Sequence, residues 1–334
     1  MGCVALLACG TLASASASAQ VLLNVNSWVP RSHPLTAEMM TWCAAVEKAV
    51  AGRVACNLLP RPAVRAPQTF DAIRDGLVDL AVTANRFTPG RFPLSAIAEL
   101  PLLGDTAEAI SVAYQRTYQR ALAKADEHKG AVVLAVFTHG PGQIYDTQLP
   151  VASIKDMENL RYLAGDRFVG DIARAIGANP LRAAASEFSA LLSSGFADGA
   201  FLPKEAALSL KLMPLFKYAT YVPGGLYNTS FVFVMNPRKW GRISRADQDA
   251  IMSLSGEAYA RRAGQAWDAA DAQAEAALRT AKISVVTASP AFVAEIKEKT
   301  AGLEKAWIDK AGAKGIDGEA VLWGFRAEIA ALSK

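Results

Sequence analysis

The 334-residue chain has few of the sequence motifs that are typical of enzymes. It has only three histidines, widely separated, and no glycine-rich phosphate loop, His-x-x-x-His pair or Gly-x-Ser-x-Gly motif. Its 35 basic and 31 acidic residues give a net charge of +4 without a run of one sign, so neither nucleic acid nor an anionic membrane surface is expected as a partner. No metal or cofactor is expected either. These absences favour a protein that acts through a pocket for a small molecule.

Beyond its first nineteen residues the chain has no apolar run close to the roughly 18 residues of a membrane span. Residues 1–19 carry no charge, include an apolar stretch and end in small residues at Ala17 and Ala19. This pattern predicts an export signal cleaved after Ala19. An alternative interpretation takes Cys9, in LLACG, as the lipid-anchored cysteine of a lipoprotein.

Cysteine is scarce, and cleavage after Ala19 would leave only Cys43 and Cys56. Cys43 lies on a predicted helix and Cys56 on the strand that follows, so the pair is a candidate disulfide in an oxidising compartment. The alternative is two small buried hydrophobic residues. Neither cysteine has a catalytic base nearby in sequence, so nucleophilic chemistry is not expected.

The hydrophobic pattern predicts two α/β units. Strands and helices alternate from VLLNVN to LAVTAN, which predicts a mostly parallel sheet, and a second alternating set begins near Gln143 and leads to the apolar strand SFVFVMN. The helical pattern over residues 244–282 is too long for one side of a small domain and is expected to cross between the units. Two such lobes enclose a cleft, the commonest place for a small ligand.

We divide the chain into two lobes on this basis. Lobe I is predicted to cover residues 20–139 and to be completed by about 228–260. Lobe II is predicted to cover residues 140–227 and to be completed by about 280–334.

A series of short segments along the chain has a familiar order and spacing. The segments are ELPLL, GPGQIYDTQLPVASIKDMENLRYLAG, AIGANPLRA, SEFSALLSSGFADGAFLP and FVFVMNPRKWGRIS. Together they resemble the extracytoplasmic solute-binding proteins of TRAP transporters, the DctP type, over essentially the whole mature chain. The resemblance implies an α/β periplasmic binding protein with two lobes, hinge strands and a long lobe-connecting helix. It also implies closure on a small organic acid, which is delivered to the membrane subunits of a TRAP permease.

The family's signature is an arginine that grips the ligand carboxylate, because its planar fork matches a carboxylate. Counting from Asp156 places this position at Leu163, whereas counting back from the following helix places it at Tyr162. Side chains alternate across a strand, so Arg161 shares the face of Leu163 but not that of Tyr162. Arg167, at the start of the following helix, is another candidate for the charge.

The other positions that the resemblance assigns to the cleft suggest a site more apolar than usual. Phe201 and Leu202 stand where the family has polar residues, although both are equally interpretable as ordinary core. Trp28 or Phe87 could stack on a planar ligand. The remaining candidates are His33, Asn85, Gln143, Tyr145, Tyr227 and Asn228.

The sequence therefore predicts a monomeric periplasmic receptor, not an enzyme, for a small organic solute bound by lobe closure. The expected ligand is a monocarboxylate, aromatic or branched, and the alternative is a neutral or cationic solute. Two other roles compete with transport. One is a sensor subunit that presents ligand to a membrane protein, and the other is an exported enzyme, for which His139 with Asp146 is the best available pair and lacks a third member.

Overall fold

Two mixed α/β lobes, each built around one sheet, make up the fold in a computed structural model that describes residues 20–334. The expected export signal over residues 1–19 and the alternative anchor at Cys9 lie outside the described residues. Within residues 20–334, no helix combines the length and the apolar character needed to cross a membrane.

The strands divide between two sheets. In chain order they are β1 (Val21–Asn26), β2 (Val54–Leu58), β3 (Leu80–Ala84), β4 (Val132–Thr138), β5 (Gly142–Asp146), β6 (Arg161–Ala164), β7 (Asn179–Arg182), β8 (Gly199–Pro203), β9 (Tyr218–Tyr221), β10 (Ser230–Met235) and β11 (Ser284–Thr287). The sheet of lobe I has the order β2-β1-β3-β10-β4, and that of lobe II has the order β11-β9-β5-β8-β6-β7. In lobe I, β1 is parallel to β2 and β3, whereas β10 runs antiparallel between β3 and β4, so the sheet is mixed.

Helices cover both sheets. They are α1 (Pro34–Ala49), α2 (Thr69–Asp75), α3 (Ala107–Thr117), α4 (Arg167–Ala175), α5 (Phe188–Ser193), α6 (Lys204–Ser209), α7 (Pro237–Trp240), α8 (Arg245–Ser253), α9 (Gly256–Thr280), α10 (Pro290–Gly312) and α11 (Gly318–Leu332). The alternation of strands and helices in the sequence is thus realised in both lobes.

The chain passes between the lobes where β4 leads into β5 and where β9 leads into β10. At the first crossing the backbone is closely packed. A Cβ atom on Gly140 would lie 1.9 Å from Oδ2 of Asp271, and one on Gly142 would lie 2.2 Å from Cε1 of Tyr227. Only glycine fits at these positions. Because glycine has no side chain, the crossing strands can lie against α9 and against the second crossing.

The helical pattern over residues 244–282 forms two helices rather than one. Ser244 caps α8, accepting a hydrogen bond from the backbone nitrogen of Asp247 at 3.2 Å, and α8 ends at Ser253. Gly256, the first residue of α9, has a left-handed φ of +55°, so the chain changes direction between α8 and α9. The 25 residues of α9 extend for about 37 Å.

Helix α9 joins the two lobes, as the sequence suggests. Its first half contributes Tyr259 and Trp267 to the core of lobe I, and its second half contributes Ala274 and Leu278 to the core of lobe II. This helix therefore spans the cleft.

Two carboxylates on α9 also hold the starts of helices from each lobe. Asp268 accepts hydrogen bonds from the backbone nitrogens of Ala107 and Glu108 in α3, at 2.6 and 3.0 Å. Asp271 accepts one from the backbone nitrogen of Glu205 in α6, at 2.8 Å. These contacts satisfy amide groups that lack partners within their own helices.

The C-terminal residues do not belong wholly to lobe II, which corrects the expected division. Phe292, near the start of α10, packs in a lobe II core, but Trp307, near its end, packs in the lobe I core with Phe325 of α11. Trp307 also donates a hydrogen bond to the carbonyl oxygen of Leu94 at 3.0 Å. Since α10 has 23 residues, it is long enough to reach both lobes, and α11 then packs on α3.

Cys43 of α1 and Cys56 of β2 form a disulfide, the first of the two alternatives for this pair. Their Cα atoms lie 5.8 Å apart, within the usual range for a bridge. The bond ties the first helix of lobe I to the edge strand of its sheet.

Replacing both Cys43 and Cys56 with alanine should lower the free energy of unfolding by about 3 kcal/mol, because the bridge closes a short loop and restricts the unfolded chain. Urea unfolding of the chain from Gln20 onward measures the change. Reduced wild type serves as the matched control and should unfold like the variant. Equal urea midpoints for oxidised wild type and the variant would show that the bridge contributes nothing.

Candidate functional site

A cleft of about 1290 Å³ lies between the lobes, with walls from both sheets' strand ends and from α9. Lobe I contributes the loop between β1 and α1 and the residues after β3, and lobe II contributes the start of α4, the end of β8 and α6. A smaller hollow of about 590 Å³ lies between α3 and α11, where only lobe I elements meet. The cleft is the candidate site because residues of both lobes line it.

Seven aromatic residues within the described part of the chain line the cleft. They are Trp28, Phe87, Phe188, Phe201, Tyr227, Phe231 and Trp267. Trp28 and Phe87 meet edge to face at 5.2 Å between ring centroids, while Phe231 and Trp267 are nearly parallel at 6.2 Å. Such surfaces suit a flat apolar group.

Arg86 is the only lysine or arginine among the described residues that line the cleft. Its side chain is 7% exposed, and Arg86 is the second residue after β3, at the carboxyl end of a strand that is parallel to β1. Nη1 donates to Asp166 of lobe II at 2.5 Å, Nε donates to Glu99 at 3.4 Å, and Nη2 donates to the carbonyl oxygen of Asn228. The guanidinium thus connects three segments of the chain.

Sequence reasoning missed this arginine. The candidates named from the sequence include Asn85 and Phe87, the residues on either side of Arg86, but not Arg86 itself. The signal that could have identified Arg86 is its position. It is a charged residue just past the carboxyl end of a buried strand, where ligands bind in α/β sheets.

The charge of Arg86 is secured by its neighbours. Burial disfavours the charged form, but the carboxylates of Asp166 and Glu99 outweigh burial and raise the pKa of Arg86 above its ordinary value. The rings of Tyr227 and Phe168 lie 5.5 and 5.9 Å from the guanidinium carbon. A permanent cation in an aromatic surround is the cleft's main electrostatic feature.

His33 and Glu205 face each other across the cleft. His33 caps α1, its Nδ1 accepting a hydrogen bond from the backbone nitrogen of Leu35 at 3.2 Å. Its Nε2 lies 3.8 Å from Oε1 of Glu205 on α6. Burial lowers the pKa of His33 to about 4 and raises that of Glu205, although a hydrogen bond from Ser209 partly offsets the latter. His33 is therefore neutral at pH 7.

His139 also lines the cleft but forms no catalytic pair with Asp146. Its Nε2 lies 2.7 Å from Oγ1 of Thr229, and its Nδ1 contacts the carbonyl oxygen of Gly140. Asp146 instead accepts a hydrogen bond from the hydroxyl of Tyr162 at 2.5 Å. The pair considered for an exported enzyme is not brought together. Nor does the described part of the chain contain a group of three or more His, Cys, Asp or Glu residues able to hold a metal ion.

Of the residues proposed from the sequence, some line the cleft and others do not. Those that line it are Trp28, His33, Phe87, Phe201, Leu202 and Tyr227. Those that are buried without reaching it are Asn85, Gln143, Tyr145, Tyr162, Leu163 and Asn228.

The buried group has internal roles. Asn85 bridges Ser230 and His128, and Gln143 accepts a hydrogen bond from the backbone nitrogen of Val222 at 2.7 Å. Tyr145 and Leu163 belong to a lobe II core. Tyr162 stacks on Phe201, a cleft residue, at 5.0 Å, and Asn228 reaches Arg86 only through its carbonyl oxygen.

Neither arginine predicted from the family signature lies at the cleft. Arg161 donates to Asp198 at 3.2 Å and to the carbonyl oxygen of Gly195, and its side chain is 39% exposed. Arg167 is 74% exposed and lies 3.8 Å from Asp171. Strand alternation therefore sends Arg161 away from the ligand side, and Arg86 takes over as the cation of the cleft.

A family model matches residues 25–310 of the chain and is described as DctP, bacterial extracellular solute-binding protein, family 7. The outer membrane transporter protein TsaT of Comamonas testosteroni is 30% identical over 331 residues, which cover 98% of this chain and 96% of that protein.

Solved structures agree with this match. A TRAP periplasmic solute-binding protein from Bordetella bronchiseptica, with bound (R)-mandelate and (S)-mandelate, is 43% identical, with a TM-score of 0.88 over 93% of this chain and 99% of that one. A TRAP solute-binding protein from a marine metagenome, specific for aromatic acid ligands and in complex with metahydroxyphenylacetate, is 32% identical, with a TM-score of 0.85 over 94% of this chain and 100% of that one.

The burial of neutral His139 predicts sensitivity to acid. Burial and nearby Arg86 lower the pKa of His139 from 6.5 to about 3, so the unfolded chain takes up this proton first and the free energy of unfolding falls as the pH drops from 6.5 towards 3. His139→Gln should remove a slope of at most about 1.4 kcal/mol per pH unit. Urea unfolding between pH 7 and pH 4 tests this.

His128 is also buried and neutral, and it remains in the variant, so part of the acid sensitivity should persist. His128→Gln should therefore also remove part of the pH slope, and it serves as a comparison variant. Identical pH slopes for wild type and His139→Gln would contradict the prediction.

Proposed function

Because this chain belongs to the DctP family of bacterial extracellular solute-binding proteins, we propose that it binds an aromatic monocarboxylate in the cleft between its lobes. The observation that carries the proposal is Arg86, the cleft's only described lysine or arginine, set among aromatic rings. The relatives solved with mandelate and with metahydroxyphenylacetate support the same class of ligand.

Arg86 has the capacity to hold a carboxylate. A guanidinium has five N–H donors, and the contacts to Glu99, Asp166 and Asn228 use three of them within residues 20–334. The two that are left match the two oxygens of a carboxylate. Glu99 is itself occupied by the backbone nitrogen and hydroxyl of Ser230, so it serves to hold Arg86 in place.

The aromatic side chains of the cleft would contact the apolar ring of such a ligand. Burying a phenyl ring among Trp28, Phe87 and Trp267 removes its apolar surface from water, which is favourable by roughly 25 cal/mol per Å². An aliphatic dicarboxylate would place its second charge against these rings without a cation.

Closure follows from contacts on both lobes. A ligand held by Arg86 of lobe I and by Phe201 of lobe II stabilises the closed state in proportion to its differential affinity for that state. In this proposal lobe I consists of residues 20–139 with about 228–260 and the last part of 280–334, and lobe II of residues 140–227 with the first part of 280–334.

We further propose that the protein is exported, acts as a monomer in the periplasm and delivers its ligand to a TRAP permease, without making or breaking a bond. The family of extracellular receptors, the signal-like residues 1–19 and the Cys43–Cys56 disulfide support this location. A sensor role would use the same cleft and closure.

Titration calorimetry with (R)-mandelate and benzoate tests the ligand class. Arg86→Gln should weaken binding by about 100-fold, because the ligand carboxylate loses a charged partner in a buried site. Arg86→Lys keeps the charge without the planar fork and should weaken binding by at least about tenfold. Benzamide, which has no carboxylate, should bind wild type far more weakly than benzoate.

Arg161→Gln and Arg167→Gln are the matched controls and should bind both acids like wild type. Loss of affinity in Arg161→Gln with retention in Arg86→Gln would overturn the assignment of the anchor. If neither these acids nor others in a thermal-shift screen of aromatic acids bind the wild type, the ligand class is wrong.

A further inference from the structure

We propose that His33 and Glu205 form a second polar subsite in the cleft, which binds a hydroxyl group of the ligand. The inference rests on the proposed function, since it assumes that the ligand carboxylate occupies Arg86. It assigns a preference within that class, for aromatic acids that carry a hydroxyl group over those that do not.

The subsite is separated from Arg86 by a row of rings. From His33 the row passes to Trp267 at 5.3 Å and on to His139 at 5.9 Å, measured between ring centroids. It continues to Tyr227 at 5.9 Å, whose ring lies 5.5 Å from the guanidinium of Arg86. The His33–Glu205 pair and Arg86 therefore lie at the two ends of this row.

His33 offers a hydrogen-bond donor at this position. Its Nδ1 is an acceptor, because the backbone nitrogen of Leu35 donates to it at 3.2 Å. In a neutral imidazole the hydrogen is then carried by Nε2. The N–H group of Nε2 therefore faces Glu205.

Glu205 offers an acceptor that no cation satisfies. Its side chain is 7% exposed, and within the described residues its ion-pair distances include only the neutral His33. Neighbouring Lys204 pairs with Glu275 instead. Apart from the hydrogen bond from Ser209, this buried carboxyl group lines the cleft without a charged partner, and a further donor would lower the cost of its burial.

The distance between the two groups decides what fits between them. Nε2 and Oε1 lie 3.8 Å apart, too far for a direct hydrogen bond. A hydroxyl oxygen between them can accept from the N–H of His33 and donate to Glu205. A carboxylate can only accept and would be repelled by Glu205, whereas an ammonium can only donate and would meet the N–H of His33.

The subsite also joins the lobes. His33 precedes α1 of lobe I, and Glu205 lies on α6 of lobe II. A hydroxyl bound to both therefore favours closure, in addition to any direct gain in affinity.

Two ligand series test the subsite by titration calorimetry. One compares phenylacetate with its 3- and 4-hydroxy derivatives, and the other compares benzoate with its 3- and 4-hydroxy derivatives, because these hydroxyl groups lie on the side of the ring away from the carboxylate. At least one hydroxylated acid should bind wild type roughly 10- to 100-fold more tightly than its parent. In Glu205→Leu the ratio of the two affinities should fall below about threefold.

His33→Asn provides a second variant, because asparagine is a good helix cap and preserves the start of α1 while removing the Nε2 donor. It should also lose the hydroxyl advantage. Glu205→Gln keeps an acceptor of the same size and is the matched control, which should retain part of the advantage. Thermal melting establishes that each variant folds, and His33→Asn carries the test if Glu205→Leu does not.

Equal affinity of wild type for parent and hydroxylated acids overturns the subsite alone, as does an advantage that survives in both Glu205→Leu and His33→Asn. Failure of every acid to bind wild type overturns the proposed function, and the subsite falls with it. Tight binding of an aminomethyl-substituted acid, lost in Glu205→Leu, identifies an ammonium site and also rejects the hydroxyl assignment.

Discussion

The cleft depends on one buried cation. Taking the guanidinium of Arg86 out of water carries a cost of several kcal/mol unless carboxylates and hydrogen-bond acceptors surround it. Glu99 of lobe I, Asp166 at the start of α4 in lobe II and the carbonyl oxygen of Asn228 at the second crossing meet that need. Because these partners come from both lobes and a crossing, the requirement to satisfy one charge also fixes how the lobes meet around the ligand space.

Local patterns in the sequence were sufficient for the fold but not for the site. Strand and helix alternation, the order of the short motifs and the Cys43–Cys56 pair depend on neighbours in the chain, and the structure and the family match confirm the two-lobed fold and the family. The cation of the cleft depends on which face of a strand a residue occupies and where that strand ends. A shift of one residue separates Asn85, which is structural, from Arg86, which faces the cleft.

For the long helices, too, the sequence pattern predicts only part of the structure. Hydrophobic periodicity continues through residues 254 and 255 and gives no sign that Gly256 turns the chain, because a left-handed φ leaves no trace in a pattern of apolar residues. Similarly, the apolar face of α10 does not reveal that Phe292 packs in one lobe and Trp307 in the other. Periodicity predicts that a helix has a buried face but not what that face packs against.

Asp268 and Asp271 on α9 have a mechanical consequence for closure. They are less than one helical turn apart, yet they hold the starts of α3 in lobe I and of α6 in lobe II. Both lobes are therefore attached to the same short segment of α9. A rotation of one lobe about that segment displaces the groups close to it very little. In the proposed closure, groups at the mouth of the cleft therefore move further than groups close to α9.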